Sequence, residues 1–246
     1  MAKRYPYFLV ALCLLLLGIL VYASLMYERQ FIWTSFLFLG LIMLPLYIRF
    51  EKKAFASREI VLLAVLAAVA AVSRIPFSAL PSVQPTSFVI IVSAIVLGGE
   101  AGFVIGATAA LVSNLFLGQG PWTPWQMFAW GMMGLSAGLL GKTFILQTKW
   151  TRLLFGAVWG LLFGWIMNLW VLLGFLQDVT WASFLATYAT SFYFDVAHAL
   201  SNVFFLALFS AQWIKILTRF KGKYGLLQQE NARKGRELHD VRSHSA

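Results

Sequence analysis

Apolar residues fall into eight segments along the chain, and the stretches between them hold most of the charged residues. Hydropathy of this kind predicts one membrane-spanning helix for each segment. The predicted spans are Tyr7–Tyr27, Phe31–Ile48, Ile60–Val72, Phe88–Leu97, Ala101–Leu117, Met127–Leu140, Leu153–Phe175 and Phe184–Ile214. The pattern therefore predicts an all-α integral membrane protein.

The boundary that decides the topology is Gly98-Gly99-Glu100. An unbroken helix over Ser87–Leu117 would be about 46 Å long, whereas the hydrocarbon core of a bilayer is about 30 Å thick. With a break here, every lysine and arginine except Arg29 and Arg74 falls on one side of the membrane. By the positive-inside rule, both termini are then cytoplasmic and the loop around Trp122 lies outside.

The spans after Arg58 differ in character from the first two: several are short, and they are rich in alanine and glycine and interrupted by polar residues. We therefore predict three parts: an additional two-helix segment at 1–54, a six-helix core at 55–218 and a basic cytoplasmic tail at 219–246. The N-terminus has features of a signal peptide. Its long apolar run, with no polar cleavage region before Met26, instead predicts a retained helix.

Composition narrows the function classes. With 61% hydrophobic and 11% charged residues, the chain is not an ordinary water-soluble domain. Its net charge of +10 comes from basic residues between apolar segments, which favours phospholipid headgroups over nucleic acid as counterions. The single cysteine, Cys13, excludes an intrachain disulfide and a thiolate cluster, so we predict neither a metal nor a cofactor.

Catalytic signatures are missing from the sequence. Gly141-Lys142-Thr143 imitates the end of a phosphate-binding loop, but Ser136 stands where the first glycine is required, and a membrane helix precedes it. Known hydrolase and zinc motifs do not occur either. We predict no nucleotide site and no enzyme activity of these kinds.

The first candidate site is the run Gly118 to Gln126, which combines two prolines, two indoles and two amides. An interfacial aromatic belt accounts for an isolated tryptophan. A belt has no need of paired prolines and glutamines, whereas a ligand cap benefits from rigid aromatics flanked by amides. Gln119, Trp122, Trp125 and Gln126 are therefore candidate binding residues.

The second candidate site lies on the last span, where Ser191, Asp195, His198 and Asn202 share one helix face. A carboxylate is costly in hydrocarbon, so Asp195 is expected to face the bundle interior or a water-filled cavity. Carboxylates in such positions often mark a binding site or a proton path. The alternative is a structural role, in which Asp195 and His198 satisfy each other or a backbone group.

Four more polar residues are candidates for the same cavity. Asn114 and Asn168 fit either ligand contact or interhelical hydrogen bonding. Arg74 fits either neutralisation of an anionic ligand or anchoring at the headgroups, and Gln84 shares its loop.

Small residues recur at every fourth position on several spans, as glycines over Gly98–Gly106, Gly134–Gly138 and Gly156–Gly164 and as alanines at Ala64, Ala67, Ala68 and Ala71. Such stripes let helix backbones approach closely. For the glycines we expect packing inside the chain. The alanines follow the basic inner loop directly, where a partner has access.

Taken together, the six-helix core with Ala64 and Ala68 on its first span, the Pro121-Trp122-Thr123-Pro124-Trp125 loop and Gly98 to Gly102 resemble the substrate-binding S component of an energy-coupling factor (ECF) vitamin transporter. The resemblance covers residues 55 to 218 and implies capture of a vitamin outside a bacterial-type cytoplasmic membrane. The first two helices depart from that six-helix pattern.

The resemblance also implies partners: a transmembrane T component, docked on Ala64 and Ala68 with Ala67 and Ala71 beside them, and two cytoplasmic ATPases that supply the energy. The loop is most similar to the cobalamin-type branch. Riboflavin, pantothenate or another vitamin precursor suits the same contacts. The remaining alternatives are an intramembrane enzyme using Asp195 and His198, and an envelope scaffolding protein.

Overall fold

The computed structural model describes residues 31–52, 56–175 and 179–226, and over these residues the regular elements are all helical. In order they are α1 (Phe31–Lys52), α2 (Ser57–Val72), α3 (Thr86–Leu97), α4 (Gly99–Leu117), α5 (Thr123–Leu140), α6 (Lys149–Phe175) and α7 (Trp181–Lys223). Short 3-10 turns occur at Ile75–Phe77 and Phe144–Leu146. The predicted span Tyr7–Tyr27 and most of the basic tail lie outside the described residues.

Membrane-spanning character is clear from length and composition. Within the described residues, four helical stretches are long and apolar enough to cross a bilayer, Ser57–Phe77, Gly99–Leu117, Lys149–Leu173 and Trp181–Lys223. Helix α3 is apolar but shorter. The prediction of an all-α integral membrane bundle is confirmed, while the cytoplasmic placement of both termini stays a prediction.

The break at Gly98 is present. Its φ of 100° is a conformation that favours glycine, and it separates α3 from α4. The two helices then fold back on each other, with Gly102 packed so closely on Ala94 that a side chain on the glycine has no room. The sequence prediction of two helices in place of one long helix is therefore confirmed.

The glycine stripes pack inside the chain. On α4, Gly102 and Gly106 lie against the backbone of Gly134 and Trp130 on α5. On α6, three glycines meet α7: Gly156 lies against Leu206, Gly160 against Ala199 and Gly164 against Asp195. These close approaches fix the α4–α5 and α6–α7 helix pairs by van der Waals contact.

Helix α7 has 43 residues and is therefore about 64 Å long. It extends beyond both ends of the predicted span Phe184–Ile214. Near its C-terminal end, Lys221 Nζ donates a hydrogen bond of 2.8 Å to the Val96 carbonyl in the last turn of α3. This contact places the end of α7 beside the end of α3, so the two helices run parallel.

Candidate ligand-binding site

Arg74, two residues after the end of α2, connects two parts of the chain that are distant in sequence. Its Nε donates to Gln84 Oε1 at 2.8 Å, within the segment that joins α2 to α3. Its Nη1 donates to Ser113 Oγ at 2.6 Å and to Asn114 Oδ1 at 3.0 Å, both in the last turns of α4. The structure thus brings together the predicted candidates Arg74, Gln84 and Asn114.

The network continues into the first turn of α5 and the loop before it. The Asn114 amide Nδ2 donates to Gln126 Oε1 at 2.7 Å and to Thr123 Oγ1 at 3.0 Å. Thr123 Oγ1 in turn donates to Gln119 Oε1 at 2.9 Å. Both candidate glutamines are therefore engaged in fixing this loop onto the end of α4.

The two candidate indoles have different surroundings. Trp122 is half-buried, and its ring lies directly over Gly120, where a Cβ would overlap it. Trp125 is fully buried, in a hydrophobic cluster that includes Phe128 and residues of α1. Trp125 therefore supports the loop from inside the bundle, and Trp122 alone of the pair is partly accessible.

Below this network, five side chains from separate elements form a continuous series of contacts. The Arg74 guanidinium lies over the Trp130 ring, 4.8 Å from its centroid. Trp130 stacks on Phe163 with centroids 5.0 Å apart, and Phe163 meets His198 edge-on at 4.9 Å. His198 Nε2 lies 2.8 Å from Ser87 Oγ.

A second set of contacts leads from α7 back to Arg74. Ser201, one turn beyond His198 on α7, accepts a hydrogen bond of 3.0 Å from the backbone N–H of Gln84, and the Gln84 side chain accepts from Arg74. We call the residues of these two sets the central ring; its members are Arg74, Gln84, Ser87, Trp130, Phe163, His198 and Ser201. It lies where α3, α5, α6, α7 and the segment after α2 meet.

The central ring is largely buried and combines aromatic with polar groups. Trp130, Ser87 and His198 are at most 3% exposed, so water does not compete strongly for their contacts. The side chains of the central ring offer aromatic faces, a guanidinium, an imidazole and hydroxyl groups. Among the described residues, no group of three His, Cys, Asp or Glu side chains is arranged to hold a metal ion.

Asp195 belongs to a different cluster between α6 and α7. Asn168 Nδ2 donates to Ser191 Oγ at 2.6 Å, and Ser191 Oγ donates to Asp195 Oδ2 at 3.1 Å. Asp195 is 4% exposed, as expected for a carboxylate that avoids lipid. The alternative of an Asp195–His198 pair is wrong in this structure, because Asp195 bonds Ser191 while His198 bonds Ser87.

Asn202 completes the buried face of α7, but it does not reach the central ring. Its Nδ2 donates to the Gly156 carbonyl of α6 at 3.0 Å. The predicted polar face is therefore buried at Asp195, His198 and Asn202 and half-buried at Ser191, and its members divide among three separate sets of partners.

The alanine stripe on α2 is divided between two environments. Ala64 and Ala68 are exposed, together with Val61, Val65 and Val69 of the same helix face. Ala67 and Ala71 are at most 3% exposed within the hydrophobic core. Only the first pair is available to another polypeptide, and Ala67 and Ala71, which the resemblance had placed beside it, pack inside the chain.

The fold and the central ring define a multi-pass membrane protein whose helices enclose a polar and aromatic site. A family model described as "ECF-type riboflavin transporter, S component" matches residues 54–219. This match covers more than half of the chain, so the chain belongs to the S components of ECF transporters. Comparison with curated proteins and with solved structures gave no significant match.

The family assignment confirms the resemblance to an S component, a subunit that binds substrate for a transporter and is not itself an enzyme. S components of ECF transporters work with a T component and ATPases. The cobalamin-type branch is not supported by the match and stays a prediction.

Proposed function

We propose that this chain is the substrate-specific subunit of an ECF transporter and that it binds riboflavin, or a closely related flavin, at the central ring. Partner subunits supply the energy for uptake. The observation that carries the proposal is the continuous contact series from Arg74 through Trp130 and Phe163 to His198. The description of the matching family supports the same vitamin.

A flavin fits the chemistry of the central ring. Its fused heteroaromatic system is flat and has carbonyl oxygens along one edge. Stacking on Trp130 or Phe163 contributes about 0.5–1.5 kcal/mol per aromatic pair. A hydrogen bond from a charged group such as Arg74 contributes about 1.5–3 kcal/mol, so we expect Arg74 to affect affinity more than either aromatic residue alone.

Trp130 provides a second argument for a ligand with carbonyl groups. Its indole N–H is buried and has no hydrogen-bond partner among the residues that the structure describes. A buried donor of this kind costs about 1–3 kcal/mol when it is left unsatisfied. A ligand carbonyl would remove that cost.

A corrinoid is less suited to this site than a flavin. Members of the central ring touch one another directly, so a flat ligand enters by displacing one side chain, whereas a bulky macrocycle requires several helices to separate. The amides that favoured cobalamin, Gln119 and Gln126, already bond Thr123 and Asn114. Pantothenate has no flat ring and would leave the stacking faces unused.

For the partner, we propose that the T component docks on α2 at Ala64 and Ala68. These small side chains are exposed within an apolar face. Another helix can approach such a stripe closely enough for van der Waals packing to hold it in lipid. Ala67 and Ala71 contribute by packing α2 onto its own bundle.

The intramembrane enzyme alternative is weaker because it needs Asp195 and His198 to act on the same substrate. Each has its own hydrogen-bond partner in a different cluster. A scaffolding role would explain the interhelical bonds of Asn168 and Asn202. A scaffolding role does not explain why the central ring holds a buried indole N–H, that of Trp130, with no partner among the described residues.

Mass spectrometry of small molecules released from the detergent-purified chain tests the proposal. We expect riboflavin or a related flavin in the released fraction. Release of a corrinoid or of pantothenate would contradict riboflavin as the substrate and identify that vitamin in its place. If no vitamin is released and none binds when added, the capture function itself is contradicted.

A further inference from the structure

Helix α1 lies outside the residues that the family model matches, which begin at 54, yet it packs onto the helices that carry the central ring. It contacts α4, α5 and α6. Met43 and Leu46 are buried in its inner face, whereas Leu37 and Leu44 on the opposite face are exposed. The inner face of α1 is therefore part of the core of the bundle.

A direct series of contacts leads from α1 to the backbone beside Trp130. The Tyr47 ring meets the Phe103 ring of α4 edge-on, with centroids 5.7 Å apart and an interplanar angle of 76°. Phe103 is fully buried. Phe103 also contacts α5, where a Cβ placed on Gly131 would lie only 2.6 Å from Phe103 Cε2. Phe103 therefore presses on α5 at the residue that follows Trp130.

The position of Trp130 is also limited by α4 at a second point. Gly106 lies so close to the Trp130 carbonyl that a Cβ on this glycine would overlap it. Helix α5 is thus held at Trp130 by two residues of α4, Gly106 and Phe103. The contact at Gly106 is between backbones, whereas the contact at Gly131 is made by the Phe103 side chain.

We propose that Tyr47 is a positioning residue for the ligand site: it holds Phe103 against Gly131 and so sets the place of Trp130 between Arg74 and Phe163. Loss of the Tyr47 ring leaves space beside Phe103. Phe103 then relaxes towards that space, and α5 loosens at Trp130. The effect on ligand retention rests on the proposed function, whereas the effect on α5 does not.

Two measurements on the full chain in detergent test this role. The first is amide hydrogen exchange in α5 around Gly131 without ligand, and the second is the rate of riboflavin dissociation. We expect Tyr47→Ala to speed exchange in α5 and to raise the dissociation rate about tenfold. Tyr47→Phe keeps the ring, and Leu44→Ala removes an exposed side chain from the same helix, so both should match the wild type.

Unchanged exchange in α5 of Tyr47→Ala overturns the proposal. So does an equal effect of Leu44→Ala, because the response would then belong to α1 in general. If Tyr47→Ala does not fold, Tyr47→Leu, which retains apolar bulk, takes its place with the same readouts. Failure of the wild type to bind riboflavin contradicts the proposed function, and the exchange result alone then decides the role of Tyr47.

Discussion

The carboxylate of Asp195 on α7 lies directly against the backbone of Gly164 on α6, where a methyl group would overlap it. This relationship explains why the polar face of α7 and the glycine stripe of α6 occur together. The absence of a side chain at Gly164 lets the carboxylate stay buried beside Ser191 and Asn168. Without that space, Asp195 would have to turn towards lipid.

Gly164→Ala is therefore expected to destabilise the α6–α7 pair by about 1–3 kcal/mol, the usual cost of overpacking. The midpoint of thermal aggregation in detergent measures the effect. Gly40→Ala is the matched control, because a Cβ at that position of α1 meets nothing within 4 Å. Equal midpoints for the two variants would show that the close approach has no energetic consequence.

Phe163→Leu tests the aromatic part of the central ring. Leucine keeps the apolar volume but loses the stacking on Trp130 and the edge contact with His198. We expect affinity for riboflavin, measured by equilibrium dialysis, to fall about three- to tenfold. Trp150→Leu removes an exposed aromatic residue from the same helix and should leave the affinity unchanged. If both variants bind as the wild type does, Phe163 is not part of the site.

Arg74→Met and Arg74→Lys test the guanidinium. Methionine removes the charge and the hydrogen bonds to Gln84, Ser113 and Asn114. Lysine keeps the charge but cannot reproduce the planar fork that bonds Gln84 and Ser113 together. We expect both variants to bind radiolabelled riboflavin about 10- to 100-fold more weakly than the wild type.

The control for these two variants is Arg58→Met, at an exposed position near the start of α2. It removes one positive charge without touching the central ring. A full recovery of affinity in Arg74→Lys would show that charge alone matters at this position and that the geometry of the guanidinium does not.

Substitution of both Ala64 and Ala68 by leucine tests the proposed docking surface for the T component on α2. Because these side chains are exposed, the double variant should fold and bind riboflavin normally. It should also fail to support uptake of labelled riboflavin in cells that hold the partner subunits, since bulky side chains keep another helix at a distance. Ala211→Leu, at an exposed position on α7, is the control. Normal uptake by the double variant would contradict docking of the T component at Ala64 and Ala68.

Much of the fold could be predicted because its signals are local. The division into two helices at Gly98 follows because one unbroken helix would be longer than the bilayer is thick. Burial of Asp195 follows from the cost of a charge in lipid. Internal packing of the glycine stripes follows from their spacing, and the structure agrees with all three expectations.

The central ring could be predicted only in part because its contacts are distant in sequence. Arg74, Gln84 and His198 stand out as polar residues among apolar ones. Trp130 and Phe163 lie within apolar runs and look like ordinary core residues until the helices are packed. Ser87 and Ser201 gave no signal at all, because a serine in a membrane helix usually bonds its own backbone.

Flavin binding at the central ring is tested most directly by titrating the purified chain with riboflavin while tryptophan fluorescence is measured. Because Trp130 lies in the central ring, we expect saturable quenching that is unaffected by excess cobalamin or pantothenate and is weakened in Arg74→Met. Absence of saturable quenching, or displacement of riboflavin by cobalamin, would contradict the assignment of a flavin to this site.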